Sequence, residues 1–474
     1  RSRGLGDVYK RQVFLAEKLG KKEEELVISV GHDSRISAER IKSDVIDALS
    51  FFGLEIKNCA LASTPAMFMT TKMLGCDGAV QITASHHPWD RNGLKFFTPD
   101  GGLSGDEIKS ILEYAEEHES GSCPERLNLQ EVDFMSVYCE HLCNMIRKGV
   151  KSDDYERPLK GLKIVVDAGN GVGGFYAEKV LSPLGADTTG SRYLEPDGMF
   201  PNHIPNPENE TAMNSVREAT LGAKADLGVI FDTDVDRGGC VSSDGREINR
   251  NALVALAAVI ALESNPGGTV VTDSVTSAGL TEFIEKTLGG HHLRFKRGYK
   301  NVIDEAIRLE ENGINAPLAI ETSGHAAFRE NYYLDDGAYL ITKIIIKAAD
   351  MKKQGKKLYD LISELKYPAE EKEIRLKISE EDFRAVGDRL LEELADFAAK
   401  REDWQIAPDS HEGIKIIFPK TESFFILRQS VHDPVIPINF ESAQNGGVKK
   451  AANSLYEFIK DFDGVDISPL KQIL

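Results

Sequence analysis

Apolar residues along this chain follow two spacings in alternation. Short, mostly apolar runs of four or five residues recur at 26–30, 78–82, 162–166, 227–231 and 269–272, each bounded by polar or glycine-rich turns, and read as buried strands. Between them lies the three-and-four spacing of amphipathic helices. The first stripe is Ile41, Val45, Leu49 and Phe52, closed by Gly53, a sequence stop for a helix. An acidic helix is expected over 106–117, a further helix from Phe175, and an apolar one over 252–262. This strand–loop–helix order restarts three times, which predicts α/β units built on mixed sheets. After Pro368 the pattern changes to strand candidates at 374–378, 414–418, 424–427 and 436–440, a smaller α+β domain. The expected organisation is therefore four domains, at 13–150, 151–258, 259–368 and 369–474, with a polar linker at 151–160. Residues 1–12 read as a library-derived tract fused to a truncated gene rather than as fold, and are set aside.

Charge narrows the function classes. A formal net charge of −19 argues against a nucleic-acid binder, while leaving room for local basic pockets that hold a small phosphorylated molecule. No run of eighteen apolar residues and no signal peptide is present, so no membrane association and a cytoplasmic location are the expectation. Cys139 and Cys143 stand at helical spacing without a second Cys/His pair; they are expected to be buried thiols rather than zinc ligands.

Four loops carry candidate chemistry, and each follows an apolar run. The first is Gln81-Ile-Thr-Ala-Ser85-His86-His-Pro-Trp-Asp-Arg-Asn-Gly-Leu-Lys95. A serine at a strand end, with His86 beside it and Lys95 near, has the elements of an activated or modifiable oxygen. The second is Asp232-Thr-Asp234-Val-Asp236-Arg237-Gly-Gly. Three alternating carboxylates in one turn can converge on a hard cation such as Mg²⁺. An EF-hand is excluded, because Arg237 stands where the sharp turn needs glycine and Ser243 where a bidentate Glu belongs. The third loop, Glu321-Thr-Ser323-Gly-His325, offers an acceptor and a hydroxyl that can bracket vicinal hydroxyls. The fourth, Arg428-Gln-Ser430-Val-His432-Asp-Pro434, offers arginine, hydroxyl and backbone N–H groups suited to a phosphate. Arg297-Gly-Tyr-Lys300 is a short basic turn that a solvated loop explains equally well. Gly169-Asn-Gly171-Val-Gly173-Gly174 satisfies the dinucleotide fingerprint G-x-G-x-x-G, but no clean second strand ending in an acid follows it.

Taken in order, these loops resemble the phosphoserine, metal, sugar and phosphate loops of the α-D-phosphohexomutases, the phosphoglucomutase/phosphomannomutase family, over the chain from about Val27 onwards. The resemblance implies four domains around one cleft. It implies a phosphoserine at Ser85, Mg²⁺ held by Ser85, Asp232, Asp234 and Asp236, and substrate contacts from Arg237, Arg297 and Lys300. It places Glu321 and Ser323 on sugar hydroxyls, and Arg428, Ser430 and His432 on the substrate phosphate, His432 standing where the family has threonine. His325, then Lys95, would carry protons, and His86 would orient the loop. The implied reaction interconverts hexose 1-phosphate and hexose 6-phosphate, of glucose and/or mannose, through a bound hexose 1,6-bisphosphate. The family's usual opening Arg-bearing loop is not visible in this chain. Two other classes fit part of the pattern: a metal-dependent phosphatase, with water as acceptor, and an NAD-binding dehydrogenase resting on the glycine loop.

Overall fold

The first apolar run folds as Val27–His32 (β1), ending two residues later than the run at 26–30, because Gly31 lets the strand pass Met67 and Gln81 where a Cβ would meet sulfur at 2.5 Å. The computed structural model describes residues 15–16, 18–51, 53–103, 105–109, 128–408, 410–430 and 433–474. Beside β1 lie Glu55–Leu61 (β2), Gly78–Ile82 (β3), Leu94–Thr98 (β4), Gly101–Gly102 (β5) and Leu129–Glu131 (β6), in the order β5-β4-β3-β1-β2-β6. Strands β1, β2, β3 and β6 run parallel, whereas β4 turns back antiparallel on β3 with Gln81 opposite Lys95. The serine loop is therefore the connection of a hairpin at one end of a sheet. The predicted first helix forms as Ala38–Ser50 and buries Val45, Ile46 and Leu49; Phe52 lies outside the described residues. Of the expected acidic helix, 105–109 is helical and 110–117 lies outside the described residues.

The second repeat contains Ile164–Asp167 (β7), Leu227–Phe231 (β8), Gly238–Ser242 (β9) and Glu247–Ile248 (β10), ordered β10-β9-β8-β7. Strands β8 and β9 are antiparallel with Phe231 opposite Gly238, so the carboxylate turn is also a hairpin loop. The helix expected from Phe175 is present over Tyr176–Leu181, wound more widely than an α-helix. Helices Phe134–Val150 and Gly337–Lys353 pack together at Gly149, where a Cβ would meet Ile346 at 2.6 Å. Cys139 and Cys143 are buried thiols on the first of these helices.

The described residues divide into two compact units, one reaching Ser264 and including Pro317–Ser363, the other comprising Asn265–Ala316 and Glu364–Leu474. Residues 265–316 fall in the second unit and residues 317–363 in the first. Thr269–Asp273 (β11) and His291–Phe295 (β12) pair in parallel within the second unit, while Leu318–Ile320 (β13) and Ala326–Phe328 (β14) form a hairpin within the first. The second unit also holds an antiparallel sheet of Glu370–Ile378 (β15), Gln405–Ile406 (β16), Ile414–Phe418 (β17), Ser423–Leu427 (β18), Val435–Ser442 (β19) and Val465–Asp466 (β20), ordered β16-β17-β18-β19-β15-β20. Helices Phe383–Ala399 and Gly447–Ile459 cover one face, closing a core of Leu376, Leu390, Ile416, Phe425, Ile438 and Leu455. The two-residue strands β16 and β20 are too short to leave a periodic signal. No helix among the described residues is long and apolar enough to cross a membrane.

Candidate active site

Three hairpin loops of the first unit converge. Ser85 donates from Oγ to Asp232 Oδ2 at 3.1 Å across 147 residues of sequence, and accepts from Arg237 NH2 at 2.9 Å. Arg237 is 2% exposed, and its Nε–H also donates to Asp232 Oδ2 at 3.2 Å. His86 Nδ1 lies 3.4 Å from Ser85 Oγ and in close contact with the Arg237 guanidinium. Burial, then the charges of Arg237 and His87, push the His86 imidazole down to about 4; at neutral pH it is uncharged and accepts from Arg237. Lys95 bridges Asp234, at 2.9 Å, and Asp236 rather than reaching the serine.

The carboxylate turn fits a hard divalent cation. Asp232, Asp234 and Asp236 are buried, with one oxygen from each within 4.8 Å of the others. Oδ1 of Asp234 and Oδ1 of Asp236 are buried without a hydrogen-bond partner, a costly state for carboxylate oxygens unless something cationic meets them. Burial, then the charges of Asp236 and Asp234, raise Asp232 well above the usual carboxylate range. Asp236 moves the other way: burial opposes ionisation, but Lys95, His325 and Arg237 outweigh it and hold the carboxylate low. Thr64, absent from the sequence expectations, donates its hydroxyl to Asp234 and its backbone N–H to the Asp234 carbonyl at 2.9 Å. Ser63-Thr64-Pro65 is a helix-start signature, so only its connection to the aspartate turn was hidden.

The loop between β13 and β14 is pinned to the aspartate turn. An isolated antiparallel bridge joins Arg237 to His325, and the Gly238 N–H donates to the Gly324 carbonyl at 3.4 Å. Gly324 has φ +98, and a Cβ there would meet Gly238 O at 2.8 Å, so glycine is required for this approach. Glu321 and Ser323 are buried side by side, Ser323 Oγ donating to Glu321 Oε2 at 3.4 Å. His325 Nδ1 is 2.6 Å from Asp335 Oδ2 and 3.9 Å from Asp236 Oδ1. Burial opposes the charged ring, but Asp335 and then Asp236 raise it to about 9, so His325 is an imidazolium at neutral pH. Asp335 had no signal beyond the pair Asp335-Asp336 before Gly337.

The glycine loop 169–174 has a packing role. A Cβ on Gly171 would meet Thr233 O at 2.6 Å, and one on Gly174 would meet Leu194 O at 2.0 Å. These glycines admit the close approach of the aspartate turn at Thr233 and of the segment at Leu194. Asp167 organises the same corner, accepting from the Gly169 N–H at 3.0 Å and from Ser215 Oγ at 2.6 Å, with His203 Nε2 at 2.9 Å. The dehydrogenase reading loses its support.

The remaining predicted residues belong to the second unit. Glu412 accepts from the Arg297 N–H at 3.0 Å and from Ser274 Oγ at 2.6 Å, and its Oε1 lies 4.0 Å from Arg428 NH1. Arg428 is buried, donates to Asn439 Oδ1 at 3.2 Å, and has Nε without a partner. Burial, then the neighbouring Arg297 charge, lowers its pKa. A buried arginine with an unfilled donor and a second arginine charge near enough to lower its pKa suits an anion. Ser430 Oγ accepts from the Asp433 N–H at 3.1 Å. Lys300 is instead paired with Asp304 one helical turn on, and His432 lies outside the described residues. Glu412 and Ser274 were not foreseen; an isolated Glu in a polar loop carries no pattern.

The chain is similar to known proteins over most of its length. Residues 7–121, 136–245 and 249–367 match phosphoglucomutase/phosphomannomutase α/β/α domains I, II and III in turn. The phosphoglucomutase/phosphomannomutase of Thermococcus kodakarensis is 32% identical over 421 residues, 88% of this chain and 86% of the relative. The phosphoglucomutase of Neisseria gonorrhoeae is 29% identical over 430 residues, 90% and 87% of the two chains. A crystal structure of a family protein from Burkholderia thailandensis superposes with a TM-score of 0.79 at 24% identity, covering 97% of this chain and 93% of that one. This chain belongs to the phosphoglucomutase/phosphomannomutase family, the α-D-phosphohexomutases.

Proposed function

We propose that this protein is a hexose phosphate mutase in which Ser85 is the residue phosphorylated, with the 1-phosphate of glucose and/or mannose as substrate and a cytoplasmic location. The observation that carries the reading is the placement of the Ser85 hydroxyl between Asp232 and Arg237, beside three buried carboxylates. In the first half-reaction the P–O bond to Ser85 breaks as a bond forms to the free sugar hydroxyl, giving the bound 1,6-bisphosphate. In the second, the other phosphate returns to Ser85. Arg237 donates to Oγ, where negative charge develops as the phosphoryl group leaves. Asp232, Asp234 and Asp236 would hold Mg²⁺, which when bound offsets charge on the phosphoryl oxygens. Glu321 and Ser323 bracket the hydroxyls at C3 and C4, alike in glucose and mannose. His325, held by Asp335, exchanges the hydroxyl proton. Lys95 adds positive charge beside Asp234 and Asp236, and His86 orients the serine loop. Arg297, Arg428 and Ser430, with His432 and Lys300 at the margin, are assigned to the phosphate that is not reacting.

The test is an assay of both 1-phosphates with the matching 1,6-bisphosphate as primer. A mutase yields the 6-phosphate, and intact mass shows one added phosphoryl group that Ser85→Ala removes. Release of inorganic phosphate without 6-phosphate would instead establish a phosphatase.

A further inference from the structure

Arg35 lies in the loop after β1, three residues beyond His32. Its side chain is buried and wholly engaged. Nε donates to Asp33 Oδ2 at 3.1 Å. NH1 donates to the Pro88 carbonyl at 2.5 Å and the Arg91 carbonyl at 3.2 Å; NH2 donates to the Ser85 carbonyl at 2.5 Å and the His87 carbonyl at 2.7 Å. A guanidinium has five N–H donors, and here each has an acceptor, four of them carbonyls of one loop. Asp33 continues the network: Thr83 Oγ1 donates to its Oδ2 at 2.8 Å and accepts from the Ser85 N–H at 2.9 Å. Both backbone groups of Ser85, N–H and carbonyl, are thus held by one buried cluster. The Phe200 ring lies over the guanidinium at 5.3 Å, and Gly198 packs so closely on residues 34–36 that a Cβ would meet the Ile36 nitrogen at 2.4 Å.

The geometry points to Arg35 as a positioning residue that, with Asp33 and Thr83, holds Ser85 in its left-handed backbone and so aims Oγ at Asp232 and Arg237. Ser85 has φ +49, a conformation non-glycine residues adopt at a cost that the surroundings must offset. Gathering four carbonyls onto one cation does so. Lysine has three donors on a single atom and cannot span them. The inference rests on Ser85 being the reacting residue, and it concerns the phosphoryl-transfer step rather than sugar binding, since Arg35 touches neither Glu321 nor Ser323.

The test compares Arg35→Met, Arg35→Lys and Thr83→Val with the unsubstituted protein, reading kcat, KM, unfolding midpoint and backbone hydrogen exchange over 84–92. Misplacing the hydroxyl by an ångström should lower kcat of Arg35→Met by about a hundredfold, with KM within about threefold of the parent. Arg35→Lys should recover part of the loss, Thr83→Val should lose less than Arg35→Met, and exchange over the loop should quicken in all three. If Arg35→Met does not fold, the other two decide. A kcat within about threefold of the parent in folded variants, or a loss confined to KM, overturns the proposal. If the parent protein shows neither phosphoserine nor mutase activity, the reaction assigned to Ser85 fails, and unchanged loop exchange in the variants would separately refute the clasp.

Discussion

Ser85 and Val235 are buried or half-buried at the tips of two facing hairpins, and both have positive φ, +49 and +68. A β-branched residue in that region is a true outlier, and strain of this kind collects where geometry serves chemistry. Ser85→Ala keeps the backbone but removes the acceptor oxygen, so mutase turnover should fall by several orders of magnitude with the unfolding midpoint unchanged; persistence of phosphoprotein on intact mass would contradict the assignment. His325→Asn preserves size but cannot carry the proton, and should lower kcat by about 10²- to 10⁴-fold. Asp335→Asn, which leaves the ring in place without its carboxylate, should produce a smaller loss. An equal loss in a folded Asp335→Asn protein would mean that the carboxylate itself acts on substrate.

At the scale of elements, Asp336 connects the site to the helices behind it. It caps Gly337–Lys353 by accepting from the Tyr339 N–H at 2.8 Å, and accepts from Tyr138 Oη, on the helix Phe134–Val150, at 2.7 and 2.8 Å. Tyr138→Phe leaves this buried carboxylate short of a donor and should destabilise the protein by about 1–3 kcal/mol, measured by urea unfolding. Burial, only partly offset by those donors, raises Asp336 to about 6. A carboxyl whose folded pKa lies above its unfolded value of about 3.9 contributes stability that is full below that value and is lost as pH rises through about 6. Asp336→Asn should therefore flatten the fall in stability between about pH 4 and 7, seen as a smaller difference in unfolding midpoints; an unchanged slope would exclude Asp336 as its source.

At the scale of the molecule, the formal charge of −19 offers no general attraction to a sugar phosphate, so the proposed capture is expected to rest on local basic groups, for which Arg297 and Arg428 are the candidates. All three metal-loop carboxylates belong to the first compact unit. Mg²⁺ that binds the folded state alone should stabilise it by about 2.7 kcal/mol at a hundredfold excess over Kd. Hydrogen exchange should slow in the aspartate turn and the strands flanking it, β8 and β9, while the core around Trp404 in the second unit is unaffected directly. Asp234→Asn should abolish that protection, and protection that persists in the variant would place the ion elsewhere.

Local order and the candidate groups that the fold gathers were legible in the chain. Strands such as Gly78–Ile82 and Leu227–Phe231 have the bounds that their apolar runs predict, because periodicity and turn residues act over a few positions. The serine, the aspartate triplet, Glu321 and His325 were likewise visible, since polar side chains at the mouths of buried strands need a reason to be there. What the tertiary path alone decided was which groups meet. Lys95 went to Asp234 and Asp236 rather than to Ser85, Arg35 to the carbonyls of the serine loop, Thr64 to Asp234 and Asp335 to His325. The fingerprint at Gly169–Gly174 became a packing surface because Thr233 and Leu194 arrived against it. Such contacts link residues up to 170 positions apart, and no local pattern encodes them. They follow from the crossing of strands and the packing of loops, which bring charges and donors within 3 Å only after the chain has folded.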